Sequence, residues 1–412
     1  MGAAFSIDPK LVESYIMALA QHGAYGETGV WRPVYSPEWV SAQEMVAGWC
    51  HEIGMDVRRD AVGSVWGKFT GSEGGKSIVS GSHIDSQCPG GRYDGALGVI
   101  AAYVAMRTLV EQYGPPRRTL EIVSLCEEES SRYPASNYWG SRAITGRIAS
   151  EDLEQVTDLD GAAIAEGMRQ VGLDPSQVRE AIRDDLEYFI ELHIEQGPLL
   201  EQAGLPVGVV TGITGPRAYW VTVSGRSDHA GARPMDTRRD PMAGAAEIIS
   251  GVINTAHRMG RPAVTTVGRI TADPNLSPAV PEQVSFSLDA RHPDPEQRAV
   301  LYARHEALMQ EIATRHDLDL TWEIMWDHDP QPCDPELVAL LQKSAENQGT
   351  PHMLIPSGAG HDAQQMAQVA RTAMIFVRSK DGRSHTPAEF TSAEDAAAGI
   401  EILAAALHCL AY

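Results

Sequence analysis

At 412 residues, 43% hydrophobic and 21% charged, the chain is too long for one ordinary core and too apolar to be disordered. A formal net charge of -22 at pH 7 argues against nucleic acid or an anionic membrane as partner, since both demand a basic face. An anionic small substrate stays open, because an arginine or a metal ion reverses the field inside a cleft.

The cysteines Cys50, Cys88, Cys126, Cys333 and Cys409 are odd in number and widely spaced. That pattern suits reduced thiols better than a disulfide framework or a zinc-thiolate site. No apolar run approaches the ~18 residues of a membrane span, and the start lacks the basic residues and apolar stretch of a secretory signal. MGAAFS fits the loose myristoylation pattern, but the amphipathic segment that follows reads better as a folded first helix. These features are those of a cytoplasmic protein.

Along the chain, SIVSGSHID (77–85) predicts a buried strand, and GALGVIAAYVAMRTLVEQYG (95–114) a long helix stopped by Gly114 and Pro115. LEIVSLCEEE (120–129) and YFIELHIEQG (188–197) are further buried strands, both ending in charged or imidazole side chains. Strand C-terminal ends are where an open α/β sheet receives its ligands. From about residue 213 the pattern changes: RAYWVTVSGR alternates, a helix is expected over 240–260, then strands TTVGRITA and QVSFSLDARH, a helix over 295–316 and the strand LDLTWEIMWD. This is the β-α-β-β-α-β order of a ferredoxin-like sheet. The α/β pattern resumes near 334 with a helix over 335–349, the strand TAMIFV and an Ala-rich helix over 392–412. The expectation is an α/β, mixed-sheet catalytic domain made of residues 1–212 and 330–412, interrupted by a smaller α+β domain over 213–329.

Placement, more than composition, singles out the chemistry. His83 and Asp85 form an H-x-D at a strand end, where alternation turns both side chains the same way. Asp94 follows in GGRYDG, then Glu127, Glu128 and Glu129 close an otherwise apolar strand. Three adjacent carboxylates there repel and lose solvation, which a nearby cation relieves. His193 and Glu195 repeat the spacing on a later strand, and His385 lies in GRSHTPAEF. Any one histidine reads more simply as a structural residue, and EEE alone as a solvated helix start. The conjunction of five ligand-type residues, His83, Asp94, Glu129, His193 and His385, points to a metal-hydrolase site. Imidazole and carboxylate without thiolate suit Zn, Mn, Co or Ni.

The segments GSHIDSQCPGGRYDGALGV, CEEESSRYP, ELHIEQGPLLE, SDHAGARPMDTRRDP, PSGAGHDAQ and MIFVRSKDGRSHTPAEF run in order across nearly the whole chain. In this they resemble the M20 metallopeptidase-like amidohydrolases of the hydantoinase/carbamoylase branch. The resemblance implies two divalent ions per subunit, with Asp94 bridging them and His83, Glu129, His193 and His385 completing the set. It implies Glu128 as general base, Asp85 orienting His83, and His229 of SDHAG reaching a partner subunit's active site to stabilise an oxyanion. The inserted domain would then be a dimerisation and lid domain of a homodimer. For substrate it points to Gln196, Arg291 and the loop around Gly360, with His361 and Asp362 as support and Arg217 and Asn275 as further contacts. Pro278 stands where the family pattern has a substrate-binding Asn, so the carboxylate clamp differs from the usual one. The implied reaction is hydrolysis of a linear C–N amide bond in a carboxylate-bearing substrate, an N-carbamoyl-L-amino acid or related ureido acid. Alternatives are an allantoate amidohydrolase or β-ureidopropionase, and an N-acyl amino acid or dipeptide hydrolase of the wider family. A metal-free binding relative would have lost the ligands or Glu128; all are retained here.

Overall fold

The computed structural model describes residues 4–412, so the first three residues of the MGAAFS pattern lie outside the described residues. The chain divides into two units. One comprises the chain up to Thr211 with Cys333–Ile355 and His361–Tyr412; the other comprises Gly212–Pro332 with Pro356–Gly360.

In the first unit the sheet carries the strands in the order Val207–Ile213, Arg371–Val377, Leu186–Ile194, Ser77–His83, Leu120–Leu125, Val65–Phe69 and Asp56–Arg59. The four strands from Arg371–Val377 to Leu120–Leu125 are parallel, and those outside them antiparallel, so the sheet is mixed. Ser77–His83 and Leu120–Leu125 are buried at every residue, which is why they read as apolar runs and not as alternating ones. The helix Ala96–Tyr113 is buried at every position from Ala96 to Met106. A helix apolar on all sides has to be enclosed, and this one lies against the His83 and His193 strands and the last helix, Ala393–Ala411.

Asp-Pro steps start four α-helices among the described residues, Pro9–Ala20, Pro241–Met259, Pro295–Arg315 and Pro335–Gln348. In each, the aspartate side chain accepts a backbone N–H of the first turn, while proline fills a position whose N–H would go unused.

The second unit holds an antiparallel sheet ordered Val264–Thr266 and Ile270–Asp273, then Gln283–His292, Gly215–Ser224 and Asp319–Asp327. Tyr219, Val221 and Val223 face the core with Val284, Phe286 and Leu288, and the helices Pro241–Met259 and Pro295–Arg315 cover that face. TTVGRITA is not one strand. Thr266 faces Asp289 and Ile270 faces Phe286, so the three residues 267–269 stand against the two residues 287 and 288. The surplus residue, in a stretch holding Gly268, makes a bulge that divides the strand. Among the described residues no helix is long and apolar enough to cross a membrane.

Candidate metal centre

Parallel strands that end together bring distant side chains to one edge. His83 is the last residue of its strand, His193 is next to last in Leu186–Ile194, and Glu127–Glu129 come one residue after Leu120–Leu125. Glu127 takes a φ of 50°, which breaks the alternation. The N–H groups of Glu128 and Glu129 both turn to Asp85 Oδ2, at 3.0 Å each. Gly95, at φ 62°, follows Asp94; a Cβ there would lie 2.3 Å from His83 Nε2, so only glycine lets Asp94 come this close.

Asp94 is the hub. Its Oδ1 is 3.1 Å from His193 Nε2 and 3.7 Å from His83 Nε2. Its Oδ2 is 3.5 Å from His385 Nε2, which is itself 3.5 Å from Glu129 Oε2. Two donor groups result, His83–Asp94–His193 and Asp94–Glu129–His385, each with ligand atoms within 4.8 Å of one another and both using Asp94. Burial disfavours the Asp94 anion, but His193, His83 and His385 outweigh it and hold the carboxyl far below the usual range. Burial and Asp94 push Glu129 well above that range. Imidazoles and carboxylates crowded in this way, without a thiolate, fit a pair of divalent cations.

Glu128 Oε2 lies 3.7 Å from His83 Nε2, beside the cluster, and its side chain is 11% exposed. Burial and the neighbouring Glu129, Asp362, Asp94 and Asp85 push its carboxyl well up. Asp85 meets His83 through its backbone. His83 Nδ1 bonds the backbone carbonyl of Asp85 at 3.0 Å, whereas the Asp85 carboxylate stands off at 3.7 Å and serves the two glutamate N–H groups. Gln196 belongs to this cluster, its Nε2 donating to Asp94 Oδ2 at 2.9 Å.

Two carboxylates of the motifs lie elsewhere. Glu127 is buried and accepts from Ser136 Oγ at 3.0 Å, and Glu195 accepts the N–H groups of Leu199 and Leu200, the first residues of a short helix. Sequence reasoning passed over Glu191, although it shares a strand face with His193. It accepts from Ser82 Oγ at 2.6 Å, and with His193 and His361 it forms a third, wholly buried donor group. His361 packs edge-on to His193 with ring centroids 4.6 Å apart, and Asp362 accepts from Ser141 Oγ at 2.5 Å.

The second unit carries the remaining candidates. His229 is exposed, and its Nδ1 accepts the N–H groups of Gly231 (3.0 Å) and Ala232 (3.1 Å), so the ring proton sits on Nε2. The carbonyl of Pro278 accepts the N–H of Ala230, and Ala279 pairs with His229, so the PAVP segment braces the His229 turn. Arg291 donates to both oxygens of Asp289 and to the Gly358 carbonyl at 2.9 Å, in the Pro356–Gly360 excursion that Gly360 closes. Asn275 occupies a left-handed turn position, φ 46°. Arg217 donates to Asp327 (2.6 and 3.0 Å) and Glu306 and lies over the Tyr302 ring.

The chain belongs to Peptidase family M20/M25/M40, whose pattern matches residues 80–408. It is a metal-dependent hydrolase of C–N bonds in the hydantoinase/carbamoylase branch. It is 39% identical over 405 residues to the allantoate amidohydrolase of Bacillus subtilis, covering 97% of both chains. It is 39% identical over 393 residues to the N-carbamoyl-L-amino acid amidohydrolase of Geobacillus stearothermophilus, covering 94% of this chain and 95% of the other. The crystal structure of a hydantoinase/carbamoylase family amidase from Burkholderia multivorans matches with a TM-score of 0.91 at 33% identity, over 98% of each chain.

Proposed function

We propose that the chain hydrolyses the terminal C–N bond of a ureido acid, with allantoate and N-carbamoyl-L-amino acids as the first candidates. The observation that carries this is the pair of donor groups sharing Asp94, with the Glu128 carboxyl beside them. His83, Asp94 and His193 would hold one divalent ion, and Asp94, Glu129 and His385 the other, as Zn, Mn, Co or Ni. When bound, such ions would supply a water of near-neutral pKa and Lewis acidity for the scissile carbonyl. Glu128 takes the proton from the attacking water and returns it to the leaving nitrogen, a role its place beside His83 supports.

His229 serves as donor to the developing oxyanion through Nε2–H, a role its tautomer supports. Arg291 and the Gly360 loop serve the substrate carboxylate. The second unit acts as dimerisation and lid domain. Ile324, Met325 and Trp326, all about half exposed on the edge strand Asp319–Asp327, support a self-associating surface. The five free cysteines agree with a reducing compartment such as the cytoplasm.

A panel assay of ammonia release tests the substrate reading. Allantoate, 3-ureidopropionate and N-carbamoyl-L-amino acids are offered, with N-acyl amino acids and dipeptides as controls, the latter followed by amine release. Turnover confined to the ureido acids is expected. Turnover confined to the acyl or peptide compounds would overturn it in favour of the wider family's chemistry.

A further inference from the structure

Glu389 lies four residues beyond His385 and is 3% exposed. Its Oε1 accepts the backbone N–H groups of Tyr93 and Asp94, each at 3.0 Å. Its Oε2 is 3.1 Å from Ser384 Oγ, and that hydroxyl is 2.7 Å from Asp94 Oδ2. One carboxyl thus touches the backbone of the hub residue and the loop that carries His385. The approach is close enough to dictate the sequence opposite, since a Cβ on Gly91 would fall 2.1 Å from Glu389 Oε1.

We infer that Glu389 is a positioning residue of the metal centre, joining the Asp94 turn to the His385 loop so that the Asp94–Glu129–His385 donors are assembled in register. The inference rests on the metal-centre reading given above. Ser384 Oγ has both Asp94 Oδ2 (2.7 Å) and Glu389 Oε2 (3.1 Å) as acceptors for its one hydroxyl proton, and it accepts from Gln196 Nε2 at 3.2 Å. Glutamine at 389 satisfies every contact: its oxygen accepts from Tyr93 and Asp94, and its amide donates to Ser384. Alanine leaves the N–H groups of Tyr93 and Asp94 without their acceptor.

The test is a calorimetric titration of Mn²⁺ into the full-length, metal-stripped chain, with thermal melting run in parallel. Wild type is expected to take up two ions. Glu389→Ala should weaken one of the two binding events by about 10–100-fold, the scale of losing a group that orients a ligand, and the other, which shares Asp94, by clearly less. Glu389→Gln should restore the wild-type isotherm. A purely structural role would lower the melting temperature without separating the two events. Should Glu389→Ala fail to fold, Ser384→Ala removes a single hydroxyl and is expected to weaken the same event. The inference is overturned if the alanine variant that folds binds both ions like wild type, if both events weaken equally, or if Glu389→Gln fails as badly as Glu389→Ala. A wild-type chain that takes up no Mn²⁺ is a different result, and it sinks the metal-centre reading itself.

Discussion

The carboxylate of Asp85 accepts the backbone N–H of Glu128 at 3.0 Å, and the next N–H, that of Glu129, at the same distance. One side chain therefore sets the direction of both the proposed base and a proposed ligand, while its own backbone carbonyl orients His83. Asp85→Ala leaves the two N–H groups without an acceptor, a loss of ~1–3 kcal/mol. Thermal melting should register that loss, and kcat should fall with it. Asp85→Asn keeps an oxygen for the N–H groups and should recover most of the stability. Wild-type turnover in Asp85→Ala would show that the glutamates need no such anchor.

Glu128→Gln keeps the shape of the side chain and removes its ability to take a proton. Metal content should be unchanged while kcat drops by ~10²–10⁴-fold, the scale of losing a general acid–base group. Metal analysis and steady-state kinetics on one preparation check both halves. Near-normal turnover would take Glu128 out of the role.

The pH dependence of stability has a definite sign in the metal-free chain. Burial and neighbouring carboxylates raise Glu128 and Glu129, so the folded state binds more protons than the unfolded one. Their penalty is absent below the ordinary value of 4.5 and grows as pH climbs through the folded values. Burial lowers His193, but Asp94 outweighs it and holds the imidazole up at about 9. Its contribution is complete below 6.5 and is lost as pH rises through about 9. The depressed value of Asp94 acts only below 3.8, outside this window. The melting temperature of the chelated chain should therefore fall between pH 6.5 and 9, and Mn²⁺ should flatten the decline by replacing the missing positive charge. A chelated chain whose melting temperature is flat or rises across that window would contradict this.

The parts of the fold legible in the sequence are those whose burial is complete. SIVSGSH and LEIVSL have water on neither face, so they appear as apolar runs, and their polar ends stand out. RAYWVTVSGR alternates because helices cover one face of its sheet only. The strands Asp56–Arg59 and Val65–Phe69 are short and mixed in character, and Val207–Ile213 follows a helix of five residues. None announces itself by period. At the centre, the H-x-D and EEE spacings draw attention to the right segments, but not to what each carboxylate does. Glu127 turns away because its φ is positive, and Glu195 caps a helix; neither follows from spacing. Glu389 is hidden for the opposite reason: its partners, Tyr93 and Asp94, are backbone groups far away in sequence.

If His229 acts across a dimer, two inactive chains can complement. A His229→Ala chain supplies an intact metal centre with its Glu128, and a Glu128→Gln chain supplies an intact His229. Mixing them under subunit exchange should restore part of the turnover, and native mass spectrometry should show the heterodimer. Confirmed heterodimers without recovered activity would confine His229 to its own chain or remove it from the reaction.

Hydrolysis is proposed to depend on two cations held at His83, Asp94, Glu129, His193 and His385. The most direct measurement is ammonia release from a turned-over ureido acid by the chelated enzyme as Mn²⁺ is added back. The prediction is no turnover without metal and a rise that saturates at two equivalents per chain. Full turnover in protein shown to be free of metal would contradict it.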